Sequence, residues 1–443
     1  MGVLLISDGT VVTLGETNRV LHGHDVLVED GMVRRIAAHG EIAAEGARVI
    51  DARGMLVMPG FINAHMHFYS TFARGLSKAA PSRNFVEVLE HLWWRLDKAL
   101  TLEDVYLSAL VSLIDAVKHG TTTLIDHHAS PHAARGSLDA LSRAVRETGL
   151  RACLCYEVSD RDGAKIADEG LAENVEFIRA CRTRHDSRLA SLFGLHASFT
   201  LSESTLEKAA RLGRELGTGF HVHLAEAASD QEHCLAEHGC RVVERFHRAG
   251  VLGPHTLVAH GVHLDGREVE LLAASGTAVV HNPQSNMNNA VGVADVPCLL
   301  AGGVLVGLGT DAMTVDMREE LRVALWVRHL AARDPSVGFV ETTSLLVDGN
   351  RRIADRIWPG SGLGELREGG VADIVLLDYA PPTPLDEGSF LGHLVFGLPH
   401  AAVDTTIVGG RVLMEGKRLL LDLDESEVAS RAQEHAAALW RRF

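Results

Sequence analysis

The chain has 443 residues, 58 acidic against 42 basic side chains and a formal net charge of −16. That length suits roughly two to three domains, or one large α/β barrel with an accessory part, and a composition 46% apolar and 23% charged excludes a disordered chain. The basic side chains are 36 arginines and 6 lysines with no basic run, so no nucleic-acid partner is expected.

Residues 1–57 read as strands, with Val26–Val28 and Val33–Ile36 flanking a hairpin signal at Asp30-Gly31. The same style returns late, in Ala372–Asp378 and in Thr405–Val408 and Arg411–Met414 around Gly409-Gly410. Each flank is too short to bury two sheet faces alone. We therefore expect 1–57 and 367–422 to combine into a small β-sandwich, with 58–366 inserted between them. Residues 423–443, acidic early at Glu425 and Glu427 and basic at Arg441-Arg442, suit a final helix.

The inserted segment alternates strand and helix. Apolar runs end at Ala64, Asp126, Cys155, Leu195, Val222, Ala259, Val280 and Leu308. Between them, Asn84–Leu100 carries Phe85, Val88, Leu89, Leu92 and Leu96 at helical spacing, and Thr101 and Asp104 form a capping box for a helix stopped by Gly120. This pattern predicts an α/β fold, a (β/α)8 barrel, in which chemistry sits at the C-terminal ends of the strands. No apolar stretch approaches the ~20 residues of a membrane span, so no membrane partner is expected. The first residues carry no secretion signal, and Cys153, Cys155, Cys181, Cys234, Cys240 and Cys298 form no Cys-x-x-Cys pair. Both features point to reduced thiols in a cytoplasmic chain.

The histidines fall where a barrel would use them. The first strand runs out through His65-Met66-His67, and residues two apart share a strand face. The fifth ends His221-Val222-His223 followed by Glu226, the sixth at His260, and the eighth at Thr310-Asp311. In a closed barrel strand eight neighbours strand one and strand five faces both, so His65, His67, His223 and Asp311 can converge. Three imidazoles and a carboxylate suit one divalent ion, zinc ahead of iron, with a position left for water.

Pro59-Gly60-Phe61-Ile62-Asn63-Ala64-His65-Met66-His67, His223-Leu224-Ala225-Glu226, Val258-Ala259-His260-Gly261 and Leu308-Gly309-Thr310-Asp311 resemble the ordered motifs of the amidohydrolase superfamily, in its cytosine/guanine-deaminase and chlorohydrolase-like branch. Leu92–Asp97, Asp126–Pro131 and Ser285–Gly292 resemble more narrowly the aminohydrolases called SsnA. The resemblance implies that Asp311 also takes a proton from the attacking water, that His260 orients that water or ligates weakly, and that Glu226 protonates a ring nitrogen and shuttles a proton to the leaving group. It implies that His196 contacts substrate and that the chain assembles as a homo-oligomer. Dinuclear relatives use a strand-four lysine that Arg188–His196 lacks, so one metal is expected.

The implied activity is hydrolytic deamination of a small cyclic amidine, purine-like, as part of purine catabolism. Ring-opening hydrolysis of a cyclic amide or imide, or dechlorination of a triazine, could use the same site. A barrel kept only for binding would lack ligands that are present here. Alternation lets only one of His127 and His128 face inward, and Arg74, Trp93, Trp94, Ser285 and Asn286 are further residues that could border a pocket.

Overall fold

A computed structural model describes residues 2–43 and 45–443. The chain is mixed α/β. Strands Phe61–Met66, Thr121–Asp126, Arg151–Leu154 and Leu189–Ser191 pair in that order as a four-stranded parallel sheet. Strands Phe193–Leu195, Phe220–Leu224, Leu257–His260, Ala278–His281 and Val306–Leu308 form a five-stranded parallel sheet. Only Leu192 separates Leu189–Ser191 from Phe193–Leu195, so one length of chain serves both sheets. At their other edges a parallel bridge joins Met66 to Asp311, and the Thr310 and Asp311 amides donate to the His65 carbonyl at 2.9 and 3.0 Å. Apart from Leu189–Ser191, these strands are buried along their whole length, as parallel strands covered on both faces must be.

One position shows how closely the strands pack. A Cβ on Gly194 would lie 2.2 Å from the Tyr156 carbonyl oxygen, so no larger residue fits. Asn174 locks this seam: its Oδ1 accepts from the Tyr156 and Gly194 amides at 3.0 and 3.1 Å, and its Nδ2 donates to the Tyr156 carbonyl at 2.7 Å.

Strands from both chain ends share one nine-stranded sheet. They meet where Met55–Pro59 pairs antiparallel with Ile374–Asp378. The expected hairpins are present, with Asp30 and Gly31 at φ 51° and 78° and Gly409 and Gly410 at 53° and 73°. Positive φ at both central residues is the geometry that matches a hairpin's twist. The sheet has its own core, including Ile6, Val11, Val26, Val33, Ile374 and Ile407.

A buried ion pair ties this sheet to the third parallel strand. Asp373 accepts from Arg151 Nε and Nη2 at 3.1 and 3.3 Å and from the Gly409 amide at 2.7 Å. Removing one partner strands a buried charge, so Asp373→Ala is expected to cost about 3–5 kcal/mol. Denaturant unfolding checks this, and an unchanged midpoint would contradict it.

The final helix, Glu425–Arg442, packs on helix Leu102–His119. His435 and Arg442 reach Asp104 at 3.0 and 2.5 Å, and Trp440 Nε1 donates to the Phe72 carbonyl at 2.8 Å. Asp104 also completes the expected capping box with Thr101, and Gly120 ends the helix at φ 73°. The stretch read as a single helix over Asn84–Leu100 differs in its middle: Leu89–Trp93 is a wide π-type turn between Phe85–Val88 and Trp94–Ala99. Such turns re-aim side chains, and here Trp93, Trp94 and Asp97 line a cleft.

Candidate metal centre and cleft

The exits of the parallel strands bring the singled-out residues together. His65, His67, His127, His221, His223 and His260 are all buried, as are Asp311 and Glu226. Each imidazole of the central set is held by its Nδ1. His67 Nδ1 donates to the His127 carbonyl, and His223 Nδ1 donates to the His196 carbonyl at 2.9 Å. His260 Nδ1 donates to Asn286 Oδ1 at 2.8 Å, and His65 Nδ1 lies 2.8 Å from His221 Nε2. Anchoring Nδ1 fixes the ring and leaves Nε2 as the free donor atom, the usual support behind a metal-binding histidine.

Those Nε2 atoms converge. His67 Nε2 lies 3.2 Å from His223 Nε2 and 2.9 Å from Asp311 Oδ1, and His65 Nε2 lies 3.7 Å from the same oxygen. A tetrahedral ion with bonds of ~2.0–2.1 Å spaces its donor atoms about 3.3–3.5 Å apart, which these separations bracket. His65 Nε2 and His260 Nε2 are buried with no hydrogen-bond partner, as ligand atoms awaiting an ion would be. His65, His223, His260 and Asp311 could together hold a metal ion, and so could His67, His127, Glu157 and His223.

The electrostatics fit a cation. Burial holds His65 down to about 3 and His223 well below its ordinary value, keeping both in the neutral form that ligates. Burial also opposes the His67 cation, but Asp311 outweighs it and raises His67 to about 9. Burial works against the Asp311 anion too, and the two histidines overcome it, holding the carboxyl far below the usual range.

Backbone strain places three of these groups. Ala225, His260 and Asp311 have φ of 47°, 76° and 52°. Non-glycine residues rarely adopt this region, and it clusters at functional sites. Ala225 turns the chain so that Glu226, beyond the strand, reaches the cleft. Its amide is fixed by Asp230 Oδ2 at 2.9 Å.

Glu226 Oε2 lies 3.5 Å from His260 Nε2, and its Oε1 accepts from Asn289 Nδ2 at 3.2 Å. Burial raises the Glu226 carboxyl to about 7; His260 opposes this and Asp311 adds to it. Ser285 Oγ donates to Asp311 Oδ2. His196 faces the cleft with its Nδ1 on Thr200 Oγ1 at 2.7 Å.

Above the cluster opens a cleft walled by Tyr69, Trp93, Trp94 and Phe199. His127 is the inward member of its pair: its ring sits 4.6 Å from those of both His221 and His223, whereas His128 Nε2 lies 2.9 Å from Ser130 Oγ. Arg74 is not part of the wall; it pairs with Asp115 at 3.1 Å with its side chain half exposed. Sequence reasoning missed Glu157, Asp97 and Arg161, which line the cleft. Glu157 stands two residues past Cys155, where the strand-exit rule could have found it.

The chain matches the amidohydrolase family over residues 56–413. It is 35% identical over 427 residues, 94% of each chain, to a 5-methylthioadenosine/S-adenosylhomocysteine deaminase of Desulforudis audaxviator. Among solved structures it resembles an adenosine deaminase from Xanthomonas campestris with bound zinc, with a TM-score of 0.85 and 24% identity over 99% of this chain and 97% of that one. It also resembles a zinc complex of atrazine chlorohydrolase from Arthrobacter aurescens, with a TM-score of 0.81 and 21% identity over 98% and 100%. The motifs that carried the resemblance lie together at this cluster, and the chain belongs to the amidohydrolase family.

Proposed function

We propose that this chain is a mononuclear metal-dependent hydrolase that deaminates a small cyclic amidine, a purine-like nitrogen heterocycle, and releases ammonia. The observation that carries the reading is Glu226, a buried carboxyl raised to about 7 and placed 3.5 Å from His260 beside the histidine–aspartate cluster. The relative's deaminase activity supports it.

His65, His67, His223 and Asp311 would hold one divalent ion, zinc ahead of iron; when bound, it supplies a water of lowered pKa. Asp311 takes a proton from that water, and His260 orients it. The water oxygen bonds to the amidine carbon while Glu226 passes a proton to the ring nitrogen. Glu226 then carries the second water proton to the amino group, whose C–N bond breaks to release ammonia, and the proton on Asp311 returns to Glu226. The ring carbon keeps the oxygen as a carbonyl, so one water is consumed and one ammonia is formed. His196, facing the cleft near the aromatic wall, would bind the ring.

The two parallel sheets, joined at Leu192 and at the Met66–Asp311 bridge, support a closed (β/α)8 barrel over 58–366. The separate core of the terminal sheet supports a composite β-sandwich of 1–57 with 367–422, and the helix Glu425–Arg442 supports a closing helical unit over 423–443. No helix among the described residues is long and apolar enough to cross a membrane. With unpaired cysteines, that agrees with a cytoplasmic role in purine catabolism, and we propose a homo-oligomer on the family's habit.

The test is ammonia release from purines, purine nucleosides, pyrimidines, pterins and triazines by metal-quantified protein. Release from at least one purine-like substrate is expected, and ring opening without ammonia would overturn the reading. Because the proton on Glu226 is required, kcat/KM should fall as pH rises through about 7, and a rate that climbs across that range would contradict the role of Glu226.

A further inference from the structure

The cleft holds a second carboxylate beside the cluster that this mechanism does not use. Glu157 leaves the third strand with its side chain 3% exposed. Its Oε2 is buried without a hydrogen-bond partner, 3.2 Å from His127 Nδ1, which also lacks one. Glu157, His127, His67 and His223 bring donor atoms within 4.8 Å of one another, so this carboxylate borders the reacting centre itself. The carboxylate lines the cleft, and among the described residues no lysine or arginine pairs with it. Asp97 is different, being paired with Arg161.

Glu226 and Glu157 stand on different sides of the cluster. Glu226 follows the fifth strand and meets His260 of the sixth, whereas Glu157 follows the third and meets His127 of the second. A ring whose nitrogen faces Glu226 and whose reacting carbon faces the cluster turns its exocyclic substituent toward the other side. A carboxylate can only accept hydrogen bonds, so it favours a substituent carrying N–H. It repels one whose outward atoms are lone pairs, such as chloride or an ether oxygen.

We infer that Glu157 selects the leaving group, its carboxylate accepting a hydrogen bond from the amino group that departs as ammonia. This deepens and rests on the deaminase reading. The position is held rigidly, because Asn174 clamps Tyr156 to the neighbouring strand one residue before Glu157.

The test compares pairs of purine ribosides that differ only at the reacting carbon, amino against chloro, with wild type, Glu157→Gln and Glu157→Asp at matched metal content. Wild type should prefer the amino compound. Both variants should lose about tenfold or more in kcat/KM on it, as expected for a hydrogen bond to a charged group, and should change less than about threefold on the chloro compound, so the preference collapses. Equal losses on both compounds, or no loss on either, would overturn the proposal while leaving deamination standing. A wild type that releases no ammonia from any amino compound overturns the deaminase reading and this proposal together. Thermal melting guards against misfolding: should Glu157→Gln melt early, Glu157→Asp, which keeps the charge beside His127, carries the comparison.

Discussion

Glu226→Gln is expected to lower kcat about 10²- to 10⁴-fold while leaving the metal content at the wild-type level. Glutamine matches the shape of the side chain and can still engage Asn289, but it has no proton to give to a ring nitrogen. Burial raises this carboxyl to about 7, as it does Asp230, but Glu226 is the one that faces His260 Nε2, at 3.5 Å, where it can be protonated and still exchange its proton. Asp311, a few ångströms away, is held ionised by its two histidines. The two carboxyls thus sit in opposite electrostatic environments within one cleft, as the proposed acid and base roles require. Wild-type turnover in a metal-replete Glu226→Gln protein would remove this residue from the mechanism.

His223→Ala is expected to lose the metal and, with it, activity. His223 Nε2 lies 3.2 Å from His67 Nε2, and no other side chain presents a free ring nitrogen from the fifth strand. His221, two residues earlier, is already engaged, with its Nε2 2.8 Å from His65 Nδ1. Losing only a supporting partner costs 10- to 100-fold in metal affinity, so losing the ligand should cost at least about 100-fold. Metal analysis after dialysis reads this directly. Chelation of the wild type should also lower its melting temperature, because an ion at about 1,000 times its Kd adds roughly 4 kcal/mol to the folded state. A His223→Ala protein that keeps stoichiometric metal would contradict the ligand set.

Much of this was legible before the structure. Strand runs ending near Ala64, Val222, Ala259 and Leu308 put His65, His67, His223, His260 and Asp311 at strand exits, and all of them meet there. The hairpin at Asp30-Gly31 and the Thr101–Asp104 capping box were readable because both rest on neighbours in sequence. What could not be read depends on distant packing or on backbone shape. Positive φ at Ala225, His260 and Asp311 has no glycine to announce it. The wide turn at Leu89–Trp93 interrupts an unbroken helical pattern. His127 rather than His128 points inward because the strand's rotation is set by its neighbours. Arg74 was drawn outward by Asp115, a residue 41 positions along the chain.

The excess of histidine over lysine now divides by location. A cluster of buried rings gathers at the strand exits, where they could hold a metal ion, while others do ordinary work, such as His435 on Asp104 and His39 on Asp25.

The most direct test of the account follows the oxygen of water. Turnover of an aminopurine in ¹⁸O-labelled water by the metal-loaded protein should give a product carrying one heavy oxygen at the former amino carbon, with one equivalent of ammonia. A product that keeps its nitrogen and opens its ring, or one without label, would contradict hydrolytic deamination at this site.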